Sequence, residues 1–370
     1  MFNLLKQKVF GLDLSDLSIK IAQLKKEKGG IILAAHSRYE IPEGVIDNGE
    51  IKDESALVEA ISDSVRQVKG LALKTKYCVV SLPETEAFIQ MIRLPQMQEK
   101  ELAEAIKWET ENYIPLSIEE VYFDWRIIKP IEGDADHCDI LVGALKKGLV
   151  DSYLAVFKKI GLQPLVFEIE SIATARSLVK DGFSSDPIMI VDIGAKRTSF
   201  IVFSGWTIHF TASLPISNEY FVNEISQCLQ VDKKEAKRLK FEIGLNQENG
   251  HSRVYEAMLP SLKEVTANIR KYIDFYRDHG LTGHFKNSKE VSKILLCGGG
   301  ANLNGLPAWL SKELKIEAEV GNPWLNILAR EPEKIPELPY EQSIGYATAL
   351  GLALHGLELG QDNFIDLKLC

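Results

Sequence analysis

Two stretches of the chain repeat one pattern of hydrophobic and polar positions. In each, a hydrophobic strand ends in an aspartate followed two positions later by a small residue, two further strands flank a glycine turn, and a proline closes the unit. The copies span 9–42 and 188–215, and an amphipathic helical pattern follows each, over 54–68 and 217–230. The repeat predicts two α/β lobes, each built on a strand meander, with a cleft between them.

The region between the two copies has its own order of elements. Its patterns read strand, helix, strand, strand, helix and strand, which predicts an inserted α+β subdomain. The predicted division of the chain is: the opening segment of the first lobe, 1–81; the inserted subdomain, 82–165; the closing segment of the first lobe with a connecting helix, 166–185; the second-lobe core, 186–222; the upper helical subdomain of the second lobe, 223–290; the second-lobe core with a glycine loop and a second connecting helix, 291–357; and the C-terminal tail, 358–370.

One uncharged segment is long enough to suggest a membrane span. Thr198 to Asn218 contains no charged residue over 21 positions. Aromatic and β-branched residues around Ser204 and Gly205 instead favour a β-hairpin. The start of the chain is too short and too charged for a signal peptide. We therefore expect no transmembrane segment.

Composition narrows the class of protein further. The 370 residues carry a formal net charge of −9 and are 45% hydrophobic, which is typical of a soluble chain with two or more domains. The acidic balance argues against nucleic acid as a partner. Five scattered cysteines form no CxxC pair, and seven histidines form no HExxH motif. These patterns predict a cytoplasmic protein whose cysteines are reduced and which has no zinc site.

Asp13 and Asp192 end the first strand of each repeat and are expected to face the cleft. Ser15 and Gly194 follow two positions later, where a small residue lets the hairpin backbone approach a phosphate and offer N–H donors. An aspartate at such a position can hold Mg²⁺, usually through water. Each motif is weak alone, because Asp-x-Gly also marks ordinary turns.

Three glycines at 298–300 follow a buried strand and let a flat ligand lie against bare backbone. A dinucleotide-binding GxGxxG pattern would require glycine at position 303, where the chain has Leu303. A charged helix is predicted over 232–244, and a helix rich in small residues over 343–353 is expected to pack closely where the lobes cross.

Taken in chain order, these motifs resemble the actin-like ATPase superfamily. The resemblance implies an α/β, actin-like (RNase H-like) fold that binds ATP and Mg²⁺ in its cleft, with Asp13 and Asp192 at the metal. The nucleotide-binding residues that it implies are Asp13, Ser15, Ser18, Lys20, Asp192, Gly194, Ala195, Lys196, Lys237, Lys240, Gly298, Gly299, Gly300 and Asn302.

The inserted region is similar to that of the PilM family of type IV pilus assembly, which shares its fold and insertion with the cell-division protein FtsA. The matching phrases are RLP at 93–95, YIP at 113–115, VDSY at 150–153, GLQP at 161–164, VDIGA at 191–195 and GGGANLNGL at 298–306. The resemblance implies a protein at the cytoplasmic face of the inner membrane. It would bind the N-terminal peptide of the membrane protein PilN between the insertion and the first lobe, and link the membrane platform to motor ATPases.

The residues expected to contact that peptide are Arg93, Leu94, Trp108, Tyr113 and Ile114. Arg93 is expected to be an exposed polar contact, because a charged residue is rarely buried unpaired. Trp108 is equally compatible with the insertion's own core. From Glu99 to Asp139 the chain has twelve acidic and four basic residues, a net −8, which either attracts a basic juxtamembrane segment or serves solubility.

Two positions depart from the family pattern. The first loop usually reads Asp-x-Gly, whereas Ser15 carries a β-carbon that would make a left-handed turn cost about 1 kcal/mol. Its hydroxyl can instead donate to phosphate. The upper-lobe helix usually carries Glu-x-x-Lys toward the ribose and base, but here it carries Lys237 and Lys240, and lysine cannot accept hydrogen bonds from ribose hydroxyls. We therefore expect nucleotide binding with altered affinity.

Three alternatives remain open at this point. A sugar kinase of this fold would need a general base aimed at a substrate hydroxyl, and no sugar-site phrase is present. An FtsA-like polymerising protein would typically end in an amphipathic membrane helix, for which residues 360–370 are too few. A type II secretion platform component is not separable by sequence from a pilus component. Because the two aspartates have no evident third catalytic group, slow or no ATP hydrolysis is expected.

Overall fold

In the computed structural model, two large β-sheets, a smaller third sheet and their helices make up the described residues, which are 8–128, 137–245, 252–279, 290–328 and 336–359. All but the first two residues of the predicted tail, 358–370, lie outside these ranges. Within them, no helix is both long and apolar enough to cross a membrane. The uncharged segment after Thr198 forms two strands, as its β-branched and aromatic residues predict.

The strands are β1 Phe10–Ser15, β2 Ser18–Glu27, β3 Gly30–Glu40, β4 Ile46–Asp47, β5 Glu50–Ile51, β6 Lys69–Gly70, β7 Tyr77–Leu82, β8 Ala87–Pro95, β9 Val121–Ile128, β10 His137–Lys146, β11 Gln163–Ile169, β12 Ser184–Ile193, β13 Thr198–Gly205, β14 Thr207–Leu214, β15 Lys293–Cys297 and β16 Glu317–Val320. The helices are α1 Glu54–Arg66, α2 Glu99–Tyr113, α3 Lys147–Lys159, α4 Glu170–Leu178, α5 Asn218–Leu229, α6 Lys233–Glu242, α7 Ser252–His279, α8 Leu306–Leu314, α9 Tyr340–Ser343 and α10 Ala347–Glu358.

The two large sheets share the order of five strands, and the first has one additional short strand, β6, at its edge. The first runs β11-β7-β1-β2-β3-β6 and the second runs β14-β13-β12-β15-β16. In each, an antiparallel three-strand meander is extended by two parallel strands beside its first strand. Asp13 and Asp192 occupy the same place, near the end of the first strand of each meander. The internal repeat predicted from the hydrophobic pattern is therefore confirmed.

Helices α4 and α10 cross where the two lobes meet, and small residues allow the close approach. A Cβ on Gly351 would lie 1.8 Å from the carbonyl oxygen of Ala173. Beside this contact, the hydroxyls of Thr174 and Thr348 are 2.8 Å apart. The predicted role of the small-residue helix over 343–353 is confirmed by this geometry.

A buried ionic cluster fixes the same crossing. Arg176 on α4 pairs with Glu168 on β11 through both terminal nitrogens, and its Nη1 also donates to the carbonyl oxygen of Gly351 at 3.2 Å. His355 Nδ1 on α10 lies 3.3 Å from Glu168 Oε2. Burial alone would raise the pKa of Glu168, but Arg176 and His355 lower it to about 2, so the carboxylate stays charged.

The smaller sheet belongs to the insertion, and it covers less of the chain than 82–165. Its order is β8-β10-β9, with α2 packed on it. Helix α3 instead packs against α1 and β11, and β11 pairs with β7 in the first-lobe sheet. The alternation of patterns could not show this, because α3 and β11 follow β10 without a break in hydrophobicity. The other predicted boundaries stay predictions.

We expect Gly351→Ala to lower the free energy of unfolding by roughly 1–3 kcal/mol, because the added methyl group forces α4 and α10 apart. Gly148→Ala is the matched control: it also adds one methyl group to a helix, but a Cβ there meets no atom within 4 Å. Chemical denaturation of both variants checks the prediction. Equal stabilities would show that the crossing is not tightly packed.

Candidate functional site

A cavity of about 600 Å³ opens between the two lobes, where the β1–β2 and β12–β13 hairpins face each other. The glycine loop after β15 and one side of α6 form further walls, together with residues of β3 and the segment 341–348 that leads into α10. Twelve of the fourteen predicted nucleotide-binding residues line it: Asp13, Ser15, Ser18, Lys20, Asp192, Gly194, Ala195, Lys196, Lys237, Gly298, Gly299 and Asn302. The other two, Lys240 and Gly300, are buried outside this lining.

Asp13 is held from two sides at the end of β1. Lys20 Nζ, from the paired position on β2, lies 2.8 Å from Asp13 Oδ2. Ser81 Oγ, on the neighbouring strand β7, donates to Asp13 Oδ1 at 3.0 Å and accepts from the backbone N–H of Leu14 at 3.2 Å. The first hairpin therefore presents a fixed carboxylate with a cation beside it.

Ser15 does not take up the left-handed backbone that would cost energy. Its Oγ donates to the carbonyl oxygen of Ser18 at 3.0 Å and lies 3.0 Å from Ser18 Oγ. The expected penalty was wrong because β1 runs through Ser15 in extended conformation. Within the described ranges, the non-glycine residues with positive φ are Asn48, Asp181, Gln230 and Lys315.

The second hairpin reaches across the cleft to the first lobe. Its turn is closed by the N–H of Gly194 donating to the carbonyl oxygen of Arg197 at 2.9 Å. Lys196 Nζ lies 3.7 Å from Asp47 Oδ1 and 4.0 Å from Asp16 Oδ2, both on the first lobe. Lys196 therefore lines the cavity on the side of the first lobe, where its positive charge lies close to the carboxylates of Asp16 and Asp47.

Asp192 lies opposite Asp13 and against the glycine loop. Burial raises the pKa of Asp192 to about 6; Lys20 opposes this shift and Asp13 adds to it. A Cβ on Gly298, whose φ is +79°, would lie 2.2 Å from Asp192 Oδ1. Only glycine can therefore occupy position 298 beside this carboxyl group.

The three glycines of the loop differ in what surrounds them. A Cβ on Gly300 would lie 2.2 Å from Ile193 Cγ2, so Gly300 is needed for packing rather than for ligand contact. A Cβ on Gly299 would meet no atom within 4 Å, and Gly299 lines the cavity. The flat backbone surface predicted from the sequence is thus centred on Gly299.

The two lysines of α6 have different positions. Lys240 is buried and its Nζ donates to Asn218 Oδ1 at the start of α5. Burial lowers the pKa of Lys240 to about 8; Lys237 adds to this shift and Glu219 opposes it. Lys237 lines the cavity, with its Nζ 3.6 Å from Glu219 Oε1.

Glu170, the first residue of α4, is a cavity residue that sequence reasoning missed. It lines the floor of the cleft, and its Oε1 accepts from the N–H of Glu84 at 3.4 Å. Burial raises the pKa of Glu170 to about 8, and Glu84, Asp13 and Asp192 add to the shift. No local motif marks this residue, because it joins the aspartates only through the pairing of β11 with the first-lobe sheet.

The described residues contain no group of three His, Cys, Asp or Glu side chains arranged to hold a metal ion. This does not conflict with Mg²⁺, which proteins often bind through one or two carboxylates together with substrate phosphates and water. Asp13 and Asp192 fit that description, because both carboxyl groups line the same cavity.

The predicted partner-binding residues lie on the insertion with very different exposure. Trp108 and Tyr113 on α2 are 69% and 51% exposed, so Trp108 does not fill the insertion's core. Ile114 is buried and Leu94 packs against the core of the three-stranded sheet. The latter two are held by internal packing.

Arg93 is not the exposed polar contact that was expected. Its Nε and Nη2 donate to the two carboxylate oxygens of Asp139 at 2.7 and 3.0 Å. The two residues are direct cross-strand partners on β8 and β10. The partner of Arg93 comes from 46 positions further along the chain, which sequence reasoning alone could not supply.

The raised pKa of Glu170 predicts a pH dependence of stability. A carboxyl group whose pKa is higher in the folded state than in the unfolded state contributes its full stabilisation below the unfolded pKa. This contribution is lost as the pH rises through the folded pKa, which is about 8 for Glu170. We expect Glu170→Gln to be more stable than the parent by roughly 1–3 kcal/mol at pH 8, with the difference vanishing near pH 4. Denaturation from pH 4 to 9 measures it, with the exposed Glu43→Gln as control; a pH-independent difference would contradict the assignment.

Comparison with known proteins identifies the family. The sequence matches the family described as type IV pilus assembly protein PilM over residues 11–357. Among solved structures, the chain is similar to the PilM–PilN type IV pilus biogenesis complex, with 26% identity, a TM-score of 0.78, and 95% of this chain and 99% of that chain covered.

Two more distant structures show the fold alone. MreB5 of Spiroplasma citri bound to ADP is 10% identical with a TM-score of 0.55, covering 96% of this chain and 99% of that chain. The ethanolamine utilization protein EutJ of Carboxydothermus hydrogenoformans is 16% identical with a TM-score of 0.54, covering 93% and 88%. Neither the FtsA-like nor the secretion alternative is favoured by these matches. With an actin-like fold and a family match along nearly its whole length, the chain belongs to the PilM family of type IV pilus assembly proteins.

Proposed function

We propose that this chain is a nucleotide-binding scaffold of type IV pilus assembly, which binds ATP with Mg²⁺ in the cleft and a PilN-like peptide on the inserted subdomain. The observation that carries the nucleotide assignment is the convergence of two equivalent hairpins, Lys20 and a bare glycine loop on one cavity of about 600 Å³. The ADP bound to MreB5, which shares the fold, supports the same ligand class.

We propose that the phosphates, the metal ion and the base bind to different walls of the cavity. The two hairpin turns offer backbone N–H groups, with Lys20 and Lys196 as cations for the phosphates. Asp13 and Asp192 would hold Mg²⁺ against those phosphates, where the ion neutralises their charge. Gly299 offers an unobstructed surface for the base.

Hydrolysis is proposed to be slow or absent. Glu170 lies at the floor of the cleft with Asp13 and Asp192, where it could orient a water molecule. Burial and the nearby carboxyl groups of Glu84, Asp13 and Asp192 raise the pKa of Glu170, which disfavours the ionised form that a general base needs. The nucleotide would then serve mainly as a structural ligand of the cleft.

The assignment of the partner rests on the insertion and on the similar PilM–PilN complex. Trp108 and Tyr113 are large side chains that the insertion leaves exposed, as docking residues must be. A PilN-like inner-membrane protein would hold this chain at the cytoplasmic face of the inner membrane. The motor ATPases of the pilus are proposed as further partners in that position.

Gly299→Val is expected to abolish ATP binding while leaving the fold intact, because the new side chain enters open cavity space. Gly299→Ala should weaken binding less, in proportion to its smaller volume. Calorimetric titration of Mg²⁺-ATP, with Gly148→Val as an off-site control, measures the effect. Normal affinity in Gly299→Val would exclude the glycine loop from the nucleotide site.

The double variant Trp108→Ala, Tyr113→Ala is expected to weaken binding of the cognate PilN-like N-terminal peptide by about tenfold or more, as hot-spot aromatic residues do. Phe275→Ala is the control, since Phe275 is 44% exposed but lies on α7 of the second lobe. Fluorescence anisotropy of a labelled peptide gives the affinities. If the double variant binds like the parent, the peptide docks elsewhere.

A further inference from the structure

A basic surface lies at the end of the first-lobe sheet that faces away from the cleft, and none of the assignments above uses it. Strands β1 and β7 begin at this end, and β2 turns there into β3. The cleft is at the opposite end, where Asp13 lies near the end of β1. Six exposed lysines lie on the strand ends and connections of this surface, which we call the basic edge: Lys8, Lys25, Lys26, Lys28, Lys74 and Lys76.

The connection between β6 and β7 is fixed along this edge. Because β6 pairs with β3 and β7 pairs with β1, residues 71–76 must pass β1 and β2 to join them. At one end of the connection, the N–H of Leu71 donates to the carbonyl oxygen of Ala34 at 2.8 Å. At the other end, the carbonyl oxygen of Lys76 accepts from the N–H of Gln163 at 2.7 Å. The connection is therefore attached to the sheet on both sides, next to the β2–β3 turn.

The charge of the basic edge is opposite to that of the whole chain. Glu27 lies beside the β2–β3 turn and pairs with Lys25 at 3.0 Å. Glu358 ends α10, which reaches this edge because Leu359 packs with Val9. The other five lysines form no ion pair with any residue that the structure describes. Six lysines against these two glutamates leave a net charge of +4 on a chain of net −9, which favours a partner with negative charge.

The side chains of the basic edge fit a lipid surface better than a protein or a nucleic acid. Arginine is the usual residue for fixed carboxylate and phosphate groups, whereas all six cations here are lysines, which are point charges on flexible stems. Such stems suit headgroups that move within a membrane. Non-specific nucleic-acid binding also uses exposed aromatic rings, but Tyr77 at this edge is partly buried.

An exposed leucine adds an apolar contact to this charge. Leu71 is 56% exposed, Ala72 beside it is also exposed, and Lys69 and Lys74 flank the two. An apolar side chain between lysines can enter the interfacial layer of a membrane while the ammonium groups stay with the headgroups. Residues 69–76 therefore combine the two attractions by which a peripheral protein binds a lipid surface.

We infer that the basic edge binds anionic phospholipid headgroups at a membrane surface, with Leu71 entering the interfacial layer. The contact uses no residue of the proposed nucleotide or peptide sites, so it goes beyond the proposed function and can fail independently of it. The chain enters the acidic insertion from the other end of β7, which at six residues is about 20 Å long. The lipid contact and the entry to the insertion are therefore at opposite ends of that strand.

The test is co-sedimentation of the full chain with vesicles of phosphatidylcholine alone or mixed with phosphatidylglycerol. The parent should bind the mixed vesicles and not the neutral ones, and binding should weaken as the salt concentration rises. The triple variant Lys26→Gln, Lys28→Gln, Lys74→Gln should bind the mixed vesicles at least about tenfold more weakly. Leu71→Ser should also weaken binding, but with an unchanged dependence on salt, because it removes no charge.

A matched triple variant separates the basic edge from net charge. Lys233→Gln, Lys263→Gln and Lys312→Gln remove the same charge from exposed lysines of the second lobe and should bind the mixed vesicles like the parent. Melting temperatures show whether each variant is folded, and Mg²⁺-ATP affinity should be equal in both triple variants, because neither changes the cleft.

Three results would overturn the inference. The first is a parent that binds neither kind of vesicle. The second is an equal loss of binding in the two triple variants, which would mean that overall charge rather than the basic edge attracts the lipid. The third is a parent that ignores vesicles but binds polyglutamate or duplex DNA through the same lysines, which would make the edge a protein-binding or nucleic-acid-binding surface instead.

Discussion

The close crossing of α4 and α10 is the contact on which the two-lobed architecture depends. Helix α4 packs against β13 and β14 of the second lobe and α10 packs against β1 and β2 of the first, and their backbones meet where Gly351 lies against the carbonyl group of Ala173. The buried Glu168–Arg176–His355 cluster joins the same elements with directional bonds. A buried charge cluster is tolerated only with all partners present, so it fixes one geometry of the crossing. The cleft with its two hairpins lies between the lobes that this crossing joins.

The floor of the cleft carries an excess of negative charge. Asp13, Asp192 and Glu170 converge there, and Lys20 is the cation that counters them. Burial raises the pKa values of Asp192 and Glu170, and the neighbouring carboxyl groups add to both shifts. A divalent cation would relieve that cost directly, whereas a phosphate without a cation would add to it. This excess of negative charge supports the proposal that the nucleotide binds together with Mg²⁺ rather than alone.

The two-lobe architecture was predictable from the sequence because the repeat is local: each strand meander carries its own alternation of residues and its own aspartate. Eight of the twelve predicted residues that line the cavity lie in these two meanders, and the other four, Lys237, Gly298, Gly299 and Asn302, lie on α6 and the glycine loop. The features that the sequence could not predict depend on contacts between residues far apart in the chain. Arg93 meets Asp139 only through the register of β8 and β10, and α3 joins the first lobe only through tertiary packing. Lys240 turns inward because Asn218, 22 residues earlier, offers it a buried acceptor.

The insertion and the cleft meet at one short segment. Glu84 and Glu86 lie in the turn between β7 and β8; the N–H of Glu84 donates to Glu170 Oε1 in the cleft, and Glu86 pairs with Lys146 at the other end of the insertion at 2.7 Å. A ligand that changes the charge of Glu170 therefore acts on a group that already accepts a hydrogen bond from Glu84, in the turn where the chain enters the insertion. The three-stranded sheet also packs against the lobes, because β8 contacts β14 of the second lobe and Met91, Leu141 and Leu145 belong to the main hydrophobic core. A ligand in the cleft can therefore act on the orientation of that sheet both through the Glu84–Glu170 hydrogen bond and through this packing.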